Sequence, residues 1–228
     1  MKTAVVTGTA KGIGQAIVKK LLEHNFYVVS IDKELNKIKH PNLMHHPVDI
    51  NNYEQVDIII KSMKNIDLLI NNAAIQYEKP FSEQTIEEIT QVLNTNLVSL
   101  MLLTKKLIPK LVKDSHILNI GSVHSLRVRK NKIPYDVTKA GLDMFTKSLA
   151  LELAPKTRVN SLNIGAAKTP MNNNFKDDEK LKEAVERVPL KHILTSDEVS
   201  EVVLALISDT FKYMTGSIVV YDGGRSLK

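Results

Sequence analysis

Short apolar runs alternate along this chain with stretches in which apolar residues recur at helical spacing. The runs predict strands at residues 3–6, 26–31, 43–48, 66–71, 116–120, 158–164 and 217–221. Helical spacing predicts helices at residues 13–23, 53–64, 86–112 and 134–153. Strands that alternate with helices in this way predict an α/β fold, a doubly wound parallel β-sheet with helices on both faces.

The pattern also predicts how the chain is divided. It contains no internal repeat, low-complexity tract or linker rich in Pro, Gly or Ser, so its 228 residues predict one domain. The most polar stretch, residues 172–183, lies within a segment at about 170–190 that we expect to be exposed and mobile.

Composition excludes several kinds of site and partner. The absence of cysteine excludes disulfides, thiolate metal ligands and cysteine nucleophiles. The first apolar run is too short for a signal peptide or membrane span, so we expect a cytoplasmic protein with no membrane partner. Lys and Arg outnumber Asp and Glu by 31 to 25, but no sequence pattern favours a nucleic-acid partner. Basic residues within 127–132 fit either a solvated loop or a site that attracts an anionic substrate.

Tyr135 and Lys139 stand four residues apart in a predicted helix, so their side chains share one face. A phenol alone holds its proton to a pKa of about 10, and a neighbouring cation lowers that pKa. Ser122, thirteen residues before the tyrosine, offers a hydroxyl that can hydrogen-bond an oxygen of changing charge. These groups predict proton transfer to or from a hydroxyl or carbonyl oxygen, and this chemistry needs no metal.

Gly8, Gly12 and Gly14 lie in the first strand-to-helix turn. Glycines there let the backbone approach a pyrophosphate, which the following helix N-terminus attracts. The spacing Gly-x-x-x-Gly-x-Gly therefore predicts dinucleotide binding.

Asp32 indicates which dinucleotide is bound. It ends the second predicted strand, where a carboxylate accepts hydrogen bonds from the ribose hydroxyls of NAD and repels the 2′-phosphate of NADP. Lys11 and Lys33 argue the other way, since either can reach such a phosphate. We favour NAD over NADP as the cofactor.

Motifs spread over essentially the whole chain stand in one order. They are the segment 7–14 (Thr-Gly-Thr-Ala-Lys-Gly-Ile-Gly), Asp49, the segment 71–74 (Asn-Asn-Ala-Ala), Asn96, Ser122, Tyr135, Lys139 and the segment 220–224 (Val-Tyr-Asp-Gly-Gly). In order and spacing they resemble the short-chain dehydrogenase/reductase family. The resemblance implies a Rossmann-like sheet and an NAD(P)-dependent oxidoreductase that interconverts a secondary alcohol and a ketone by hydride transfer.

The resemblance also implies roles for individual residues. Tyr135 would be the general acid/base, Lys139 would lower its pKa and hold the nicotinamide ribose, and Ser122 would orient the substrate oxygen. Asn96 would position a water in the proton relay. The cofactor contacts would come from Gly8, Gly12, Ile13, Gly14, Asp32, Asp49, Ile50, Asn72, Ala73, Tyr135, Lys139 and Thr169. Ile164 stands where the family usually has proline, which would loosen the loop that carries Thr169.

Three residues near the catalytic set suggest a substrate class. Gln76, His124 and Lys132 are similar to the set with which 3-hydroxybutyrate dehydrogenases of this family hold a substrate carboxylate, beside Ser122 and Tyr135. An amide, an imidazole and an ammonium suit a small anion such as a 3-hydroxy acid. Each residue also fits a simpler interpretation, as a polar loop residue or a solvated lysine.

Other functions stay open at this point. Within the family they are a sugar or polyol dehydrogenase and a 3-oxoacyl reductase, whose acidic carrier protein the basic residues within 127–132 would attract. A non-catalytic dinucleotide-binding regulatory protein represents a different class, and it would have little use for the catalytic set.

The two longest predicted helical regions, 86–112 and 134–153, carry more apolar surface than one sheet face needs. In the family the corresponding helices pair between subunits. We therefore expect a homodimer or homotetramer.

Overall fold

The computed structural model describes residues 1–172, 175 and 177–227 of the chain. Within these residues, seven strands form one parallel sheet in the order β3-β2-β1-β4-β5-β6-β7. Their bounds are β1 Thr3–Thr7, β2 Tyr27–Asp32, β3 Leu43–Pro47, β4 Ile66–Asn71, β5 Leu111–Ser122, β6 Thr157–Ile164 and β7 Ile218–Tyr221. Strands β1 to β3 extend the sheet in one direction and β4 to β7 in the other, so the winding reverses between β1 and β4.

Helices cover both faces of the sheet. They are α1 Gly12–Glu23, α2 Tyr53–Ser62, α3 Ile86–Leu93, α4 Ser99–Leu107, α5 Ile133–Leu153, α6 Asp178–Glu186 and α7 Ser196–Ile207. One buried core contains apolar side chains of α2, α4 and α5, and the other contains those of α1 and α7. The structure therefore confirms the doubly wound α/β fold.

The region predicted as one helix at residues 86–112 is interrupted by a wider turn. A π-helical segment spans Asn94–Val98 between α3 and α4. Within this segment the Asn96 amide bonds both the N–H and the carbonyl of Ile75, at 2.8 and 2.9 Å. Such local widening is common where a side chain serves a site beside the helix.

The same region stops being helical earlier than predicted. Pro109 has no N–H to donate, and it lies in a 3-10 turn, Ile108–Lys110, that follows α4. Leu111 then pairs with Ile66 of β4, so β5 begins there rather than at residue 116. The helix prediction was thus wrong beyond residue 107 because it gave Pro109 too little weight.

Two helices, α6 and α7, have no counterpart in the sequence prediction. At the start of α7, Thr195 and Glu198 form a capping box, a Thr-x-x-Glu signal that precedes an apolar run and that sequence reasoning missed. Helix α6 lies inside the polar segment at about 170–190, and most of its side chains are exposed. Residues 173, 174 and 176 of that segment lie outside the described residues, and its mobility stays a prediction.

Candidate active site

A cavity of about 810 Å³ opens at the carboxyl ends of the central strands. Its wall includes residues at or just beyond the ends of β1, β2, β4, β5 and β6. In open α/β sheets, ligands bind outside the strand ends at the point where the winding reverses, which here is between β1 and β4. Every predicted site residue except Asn96 is among the described residues of this wall.

The turn after β1 lets a ligand come close to the backbone. Gly8 and Gly12 have φ angles of +70° and +59°, which favour glycine. A Cβ at Gly14 would lie 1.9 Å from the carbonyl oxygen of Gly8, so no larger residue fits there. Lys11 gives α1 no side-chain cap, so the first N–H groups of the helix stay open. Open N–H groups in a glycine cradle fit the pyrophosphate of a dinucleotide.

Thr7 and Asn72 tie the glycine turn to the end of β4. The Thr7 hydroxyl accepts the N–H groups of Asn72 and Ala73, both at 3.0 Å. The Asn72 amide donates to the carbonyl oxygens of Thr7 and Gly8, at 3.0 and 2.8 Å. The two loops are therefore fixed relative to each other, and the crevice between them is formed without a ligand.

Asp32 ends β2 and already holds two backbone groups. Its carboxylate accepts the N–H groups of Ala10 and Glu34, each at 2.9 Å. Glu34 adds a second carboxylate to the cavity wall and forms an ion pair with Lys11 at 2.6 Å. That pairing lowers the pKa of Glu34. Lys11 is thus engaged by an acid, while Lys33 also lines the cavity.

The loop after β6 and the loop after β3 carry the remaining predicted cofactor contacts. A Cβ at Gly12 would lie 3.6 Å from the Cβ of Thr169, so the two loops that carry these residues pack closely. The N–H of Gly165 donates to the Tyr221 carbonyl at 3.0 Å, which fixes the start of the Thr169 loop despite the missing proline. Asp49 and Ile50 follow β3 and line the same cavity.

Ser122, Tyr135 and Lys139 meet in this cavity. Ser122 is the last residue of β5, and Tyr135 lies in the first turn of α5. The Ser122 hydroxyl acts on the Tyr135 phenol, whose pKa it lowers, and it accepts the N–H of His124 at 3.2 Å. The Lys139 ammonium lies 5.6 Å from the Tyr135 ring centroid and donates to the Ile120 carbonyl at 2.8 Å. A phenol, a hydroxyl and a cation thus line the same part of the cavity.

Burial controls the ionisation of these groups. It raises the pKa of Tyr135 to about 12, against the smaller lowering by the Ser122 hydrogen bond. Burial also lowers the pKa of Lys139 to about 8, against the opposing effect of the Asp143 carboxylate. The shift at Tyr135 is opposite to the one expected from a neighbouring cation, because burial and the Asp136 carboxylate both disfavour the phenolate. At pH 7 the phenol therefore holds its proton while Lys139 is charged.

Asn96 lies behind the cavity wall rather than in it. Its side chain is completely buried, bonds both backbone groups of Ile75 and donates to the Thr138 hydroxyl at 3.3 Å. In this geometry Asn96 fixes the segment that leads to Gln76. The role of Asn96 in positioning a water stays a prediction.

Gln76 and Lys132 form a polar pair in the same cavity. The Lys132 ammonium donates to the Gln76 side-chain oxygen at 3.0 Å and forms an ion pair with Glu78 at 3.3 Å. The Lys132 side chain is only 3% exposed, and burial lowers its pKa while Glu78 opposes that change. An ammonium has three donors, so these two contacts leave one for a further acceptor.

His124 stands beside the tyrosine and is oriented by a buried acid. Its Nδ1 lies 2.8 Å from a carboxylate oxygen of Asp136, and its ring meets the Tyr135 ring edge-on with centroids 5.6 Å apart. Burial lowers the pKa of His124 more than Asp136 raises it. With Nδ1 used by Asp136, the Nε2 atom is left for a ligand.

Sequence reasoning missed several residues of the site. Asp136 directly follows Tyr135 and bonds His124, and Arg187 and Arg225 reach the cavity from just after α6 and from the C-terminal segment. No linear spacing connects Arg187 and Arg225 with Tyr135. One usable signal was the rarity of arginine, of which the chain has only five.

Metal clusters and membrane-spanning helices are both absent from the described residues. No group of three or more His, Cys, Asp or Glu side chains is placed there to hold a metal ion. None of the helices in that part of the chain is long and apolar enough to cross a membrane.

Comparison with known proteins identifies the family. A family model described as "Enoyl-(Acyl carrier protein) reductase" matches residues 8–226. The 3-oxoacyl-[acyl-carrier-protein] reductase of Buchnera aphidicola subsp. Baizongia pistaciae is 34% identical over 237 residues, which cover 98% of this chain and 96% of that protein. The L-xylulose reductase of Mus musculus is 33% identical over 234 residues, with the same two shares.

Solved structures agree with these relatives. A short chain dehydrogenase family protein from Francisella tularensis subsp. tularensis SCHU S4 has a TM-score of 0.95 and 30% identity, with 100% of both chains covered. A mutant 4-hydroxyisoleucine dehydrogenase complexed with NADH and succinate has a TM-score of 0.94 and 25% identity, covering 100% of this chain and 99% of that one. The chain therefore belongs to the short-chain dehydrogenase/reductase family, and it is an NAD(P)-dependent oxidoreductase that acts on CH–OH groups.

Proposed function

We propose that this protein uses NAD(H) to interconvert a secondary alcohol and a ketone on a small 3-hydroxy acid. The observation that carries the substrate class is the buried Lys132 ammonium, bonded to Gln76 in the cavity that holds Ser122 and Tyr135. A buried cation with a spare donor suits a substrate carboxylate better than a neutral sugar.

Each residue of the site then has a defined task. During oxidation Tyr135 accepts the proton of the substrate hydroxyl as that oxygen becomes a carbonyl, and Ser122 holds the same oxygen by a hydrogen bond. The Lys139 cation stabilises the phenolate that Tyr135 must reach from a pKa of about 12. When bound, the nicotinamide cofactor supplies hydride transfer. Reduction runs the same steps backwards, with the Tyr135 phenol as the acid.

His124 supports the anionic substrate in a second way. Its Nδ1 is used by Asp136, so the ring presents Nε2 within reach of groups beside Tyr135. The mutant 4-hydroxyisoleucine dehydrogenase was solved with succinate, a carboxylate, as well as NADH. We propose that a carboxylate of this protein's substrate lies between Lys132, Gln76 and His124.

Charge near the end of β2 supports NAD over NADP. The Asp32 and Glu34 carboxylates both line the cavity, and Lys11 is already paired with Glu34 at 2.6 Å. A 2′-phosphate there would meet these two acids, the Lys11 cation that Glu34 already engages, and the Lys33 cation of the same wall. We therefore propose NAD(H) as the cofactor.

A 3-oxoacyl reductase is the second candidate. It is favoured by the relative from Buchnera aphidicola, which is 34% identical along nearly its whole length. That substrate is a thioester on a carrier protein, so it would have no free carboxylate for Lys132 to bind. The two candidates therefore differ in whether Lys132 contributes to substrate affinity.

A substrate panel with a matched pair of variants tests the proposal. Hydroxy acids, polyols and acyl thioesters are assayed by NADH fluorescence, with NADP tested in parallel, on wild type, Lys132→Met and Lys130→Met. We expect turnover of a 3-hydroxy acid, and a KM raised by about 10- to 100-fold in Lys132→Met, because a charge-assisted hydrogen bond is lost. Lys130 is exposed in the same loop and does not line the described cavity wall, so its variant should match wild type. Turnover of polyols or thioesters without any hydroxy acid would contradict the proposed substrate class.

We also propose that the protein is a cytoplasmic homo-oligomer, either a dimer or a tetramer. On α5 the side chains of Val137, Met144 and Leu151 are 55%, 61% and 85% exposed, at a spacing of seven that puts them on one face. An exposed apolar stripe of this kind favours association with a second copy. Light scattering of the purified protein measures the state directly, and a monomer would contradict the proposal.

A further inference from the structure

A side pocket of about 280 Å³ adjoins the main cavity. Five of its residues line both spaces, among them His124, Arg129, Arg187 and Arg225. Since His124 contacts the edge of the Tyr135 ring, the side pocket begins next to the catalytic tyrosine. A substrate with its reacting carbon at Tyr135 can therefore extend past His124 into this pocket.

Arginine is concentrated in the wall of the side pocket. The chain has five arginines among 31 Lys and Arg residues, and four of the five line this pocket. They are Arg127, Arg129, Arg187 and Arg225. The planar guanidinium fork binds carboxylate and phosphate with two parallel hydrogen bonds, which a lysine ammonium does not. A surface that served only solubility would have no reason to use arginine here and lysine nearly everywhere else.

The chain holds these arginines together from distant segments. The Arg127 guanidinium donates to the backbone carbonyl of Arg225, and the Arg225 guanidinium donates to the Ala184 carbonyl at 3.4 Å. The backbone of Arg129 donates to the buried carboxylate of Asp136 at 3.1 Å. These bonds link the loop before α5, the end of α6 and the C-terminal segment.

Glycines and an aspartate hold the C-terminal segment in place. Asp222 accepts the N–H groups of Gly224 and Ser226, at 2.9 and 2.6 Å. Gly223, with φ +63°, packs so closely that a Cβ would lie 2.7 Å from Val188. The position of Arg225 is thus set by the fold rather than by a free C-terminal tail.

Positive charge in the pocket exceeds the acids that face it. The Arg129 guanidinium lies 3.7 Å from the Glu78 carboxylate, which also pairs with the Lys132 ammonium. The Arg187 guanidinium lies 3.4 Å from the carboxylate of the exposed Glu183. In the described part of the chain, Arg127 and Arg225 have backbone carbonyls rather than carboxylates as hydrogen-bond partners. Burial, together with the three neighbouring arginines, lowers the pKa of Arg225 although Asp222 opposes this. An anion in the pocket would relieve this repulsion.

We propose that the side pocket binds a second anionic group of the substrate, a terminal carboxylate or phosphate at the end away from the reacting carbon. This proposal rests on the proposed function, and it makes the substrate a hydroxy acid with two anionic groups, called a dianion below whether the second group is a carboxylate or a phosphate. One anionic group lies at Lys132 and Gln76, and the other lies between Arg127, Arg187 and Arg225.

The test compares matched substrates on matched variants. A 3-hydroxy monocarboxylate, the corresponding 3-hydroxy dicarboxylate and a phosphorylated 3-hydroxy acid are assayed on wild type, Arg225→Gln, Arg127→Gln and the control Lys130→Gln. For wild type we expect kcat/KM to be at least ~10-fold higher for one dianion than for the monoanion. Which dianion is better distinguishes a carboxylate from a phosphate. In each arginine variant, kcat/KM for the better dianion should fall by ~10- to 100-fold, mainly through KM, and far more than for the monoanion.

Several outcomes overturn the proposal. They are equal kcat/KM for dianion and monoanion in wild type, and equal losses for both substrates in the arginine variants. A loss in Lys130→Gln as large as in Arg225→Gln would reduce the effect to general surface charge and also overturn it.

A binding measurement separates this proposal from the proposed function. If no hydroxy acid is turned over, the proposed function fails, and calorimetry with glutarate and with inorganic phosphate still tests the pocket. Binding to wild type that weakens by ~10-fold or more in both Arg127→Gln and Arg225→Gln supports an anion site. No binding to wild type, or binding unchanged in both variants, rejects it.

Discussion

The cofactor side and the substrate side of the cavity are built from different materials. The cofactor side is mainly backbone: a glycine turn, the open N–H groups of α1 and a loop tied by Thr7 and Asn72, all within the first 73 residues. The substrate side is mainly long polar side chains, and they come from residues 76, 124–132, 187 and 225. The shape of the cofactor side therefore depends on the conformation of the backbone. The chemistry of the substrate side depends on which side chains the fold brings together.

This difference determines how each side responds to change. At Gly14 even one methyl group meets a backbone oxygen at 1.9 Å, so the cofactor side tolerates almost no variation in shape. The Lys132 ammonium sits on a flexible stem among Gln76 and Glu78, so its pocket can adjust in shape but not easily in charge. Substitutions should thus damage the cofactor side by steric clash and the substrate side by loss of charge.

The largest effect is expected where the two sides meet, at Tyr135. Removal of its hydroxyl in Tyr135→Phe deletes the proton donor and acceptor, so kcat should fall by about 10³-fold or more. General acid–base catalysis and hydrogen bonding to the substrate oxygen together account for a loss of this size. NADH affinity, measured by fluorescence titration, should change little because the glycine turn is untouched. Full hydride transfer by this variant in a single-turnover assay would falsify the role of the tyrosine.

The next largest effect isolates the cofactor side. Gly14→Ala places a Cβ against the Gly8 carbonyl, so the turn must open, and NADH affinity should fall by about 100-fold, with a loss of thermal stability. Gly141→Ala in α5 is the matched control, because its Cβ would meet only the end of the flexible Leu97 side chain at 2.9 Å. The same loss of affinity in both variants would mean that the effect is general destabilisation.

The third prediction concerns the pH dependence of the Tyr135–Lys139 pair, which lies between the cofactor side and the substrate side. With pKa values of about 12 for Tyr135 and about 8 for Lys139, the phenolate fraction rises with pH while the ammonium is lost above pH 8. For alcohol oxidation, kcat/KM should rise by about tenfold per pH unit up to about pH 8 and then level off. For ketone reduction, which needs the phenol and the ammonium, it should be flat up to about pH 8 and fall above it. Profiles measured in both directions with saturating cofactor check this, and an oxidation rate independent of pH from 6 to 8 would contradict it.

The sequence was informative where geometry limits the residue type. Gly8, Gly12 and Gly14 are needed by positive φ or by close approach, and that need is visible in a linear motif. The apolar runs likewise predicted all seven strands, most directly β1 and β4, which are mostly buried and therefore need apolar residues on both faces. Pro109 also indicated that the helix ends early, but the prediction gave this proline too little weight.

The sequence did not predict contacts between side chains that are far apart along the chain. Asp136 acquires its role only because α5 carries it to His124, and Arg225 only because Gly223 packs on Val188. The pKa of Tyr135 could not be predicted either, since its direction depends on burial, which two residues of one helix do not reveal. Such contacts require the fold itself.

The smallest expected effect tests whether the cofactor side also uses charge. Asp32→Asn keeps an acceptor for one of the two N–H groups at Ala10 and Glu34 but removes one negative charge. The ratio of kcat/KM with NADP to that with NAD should rise by about fivefold, because an exposed charge pair is worth about 1 kcal/mol in water. The gain stays modest while Lys11 is held by Glu34, so adding Glu34→Gln should raise the ratio further by freeing that lysine. A wild type that already prefers NADP, or a ratio that both changes leave unaltered, would show that Asp32 acts only as a cap of the loop, and that this side of the cavity depends on backbone shape alone.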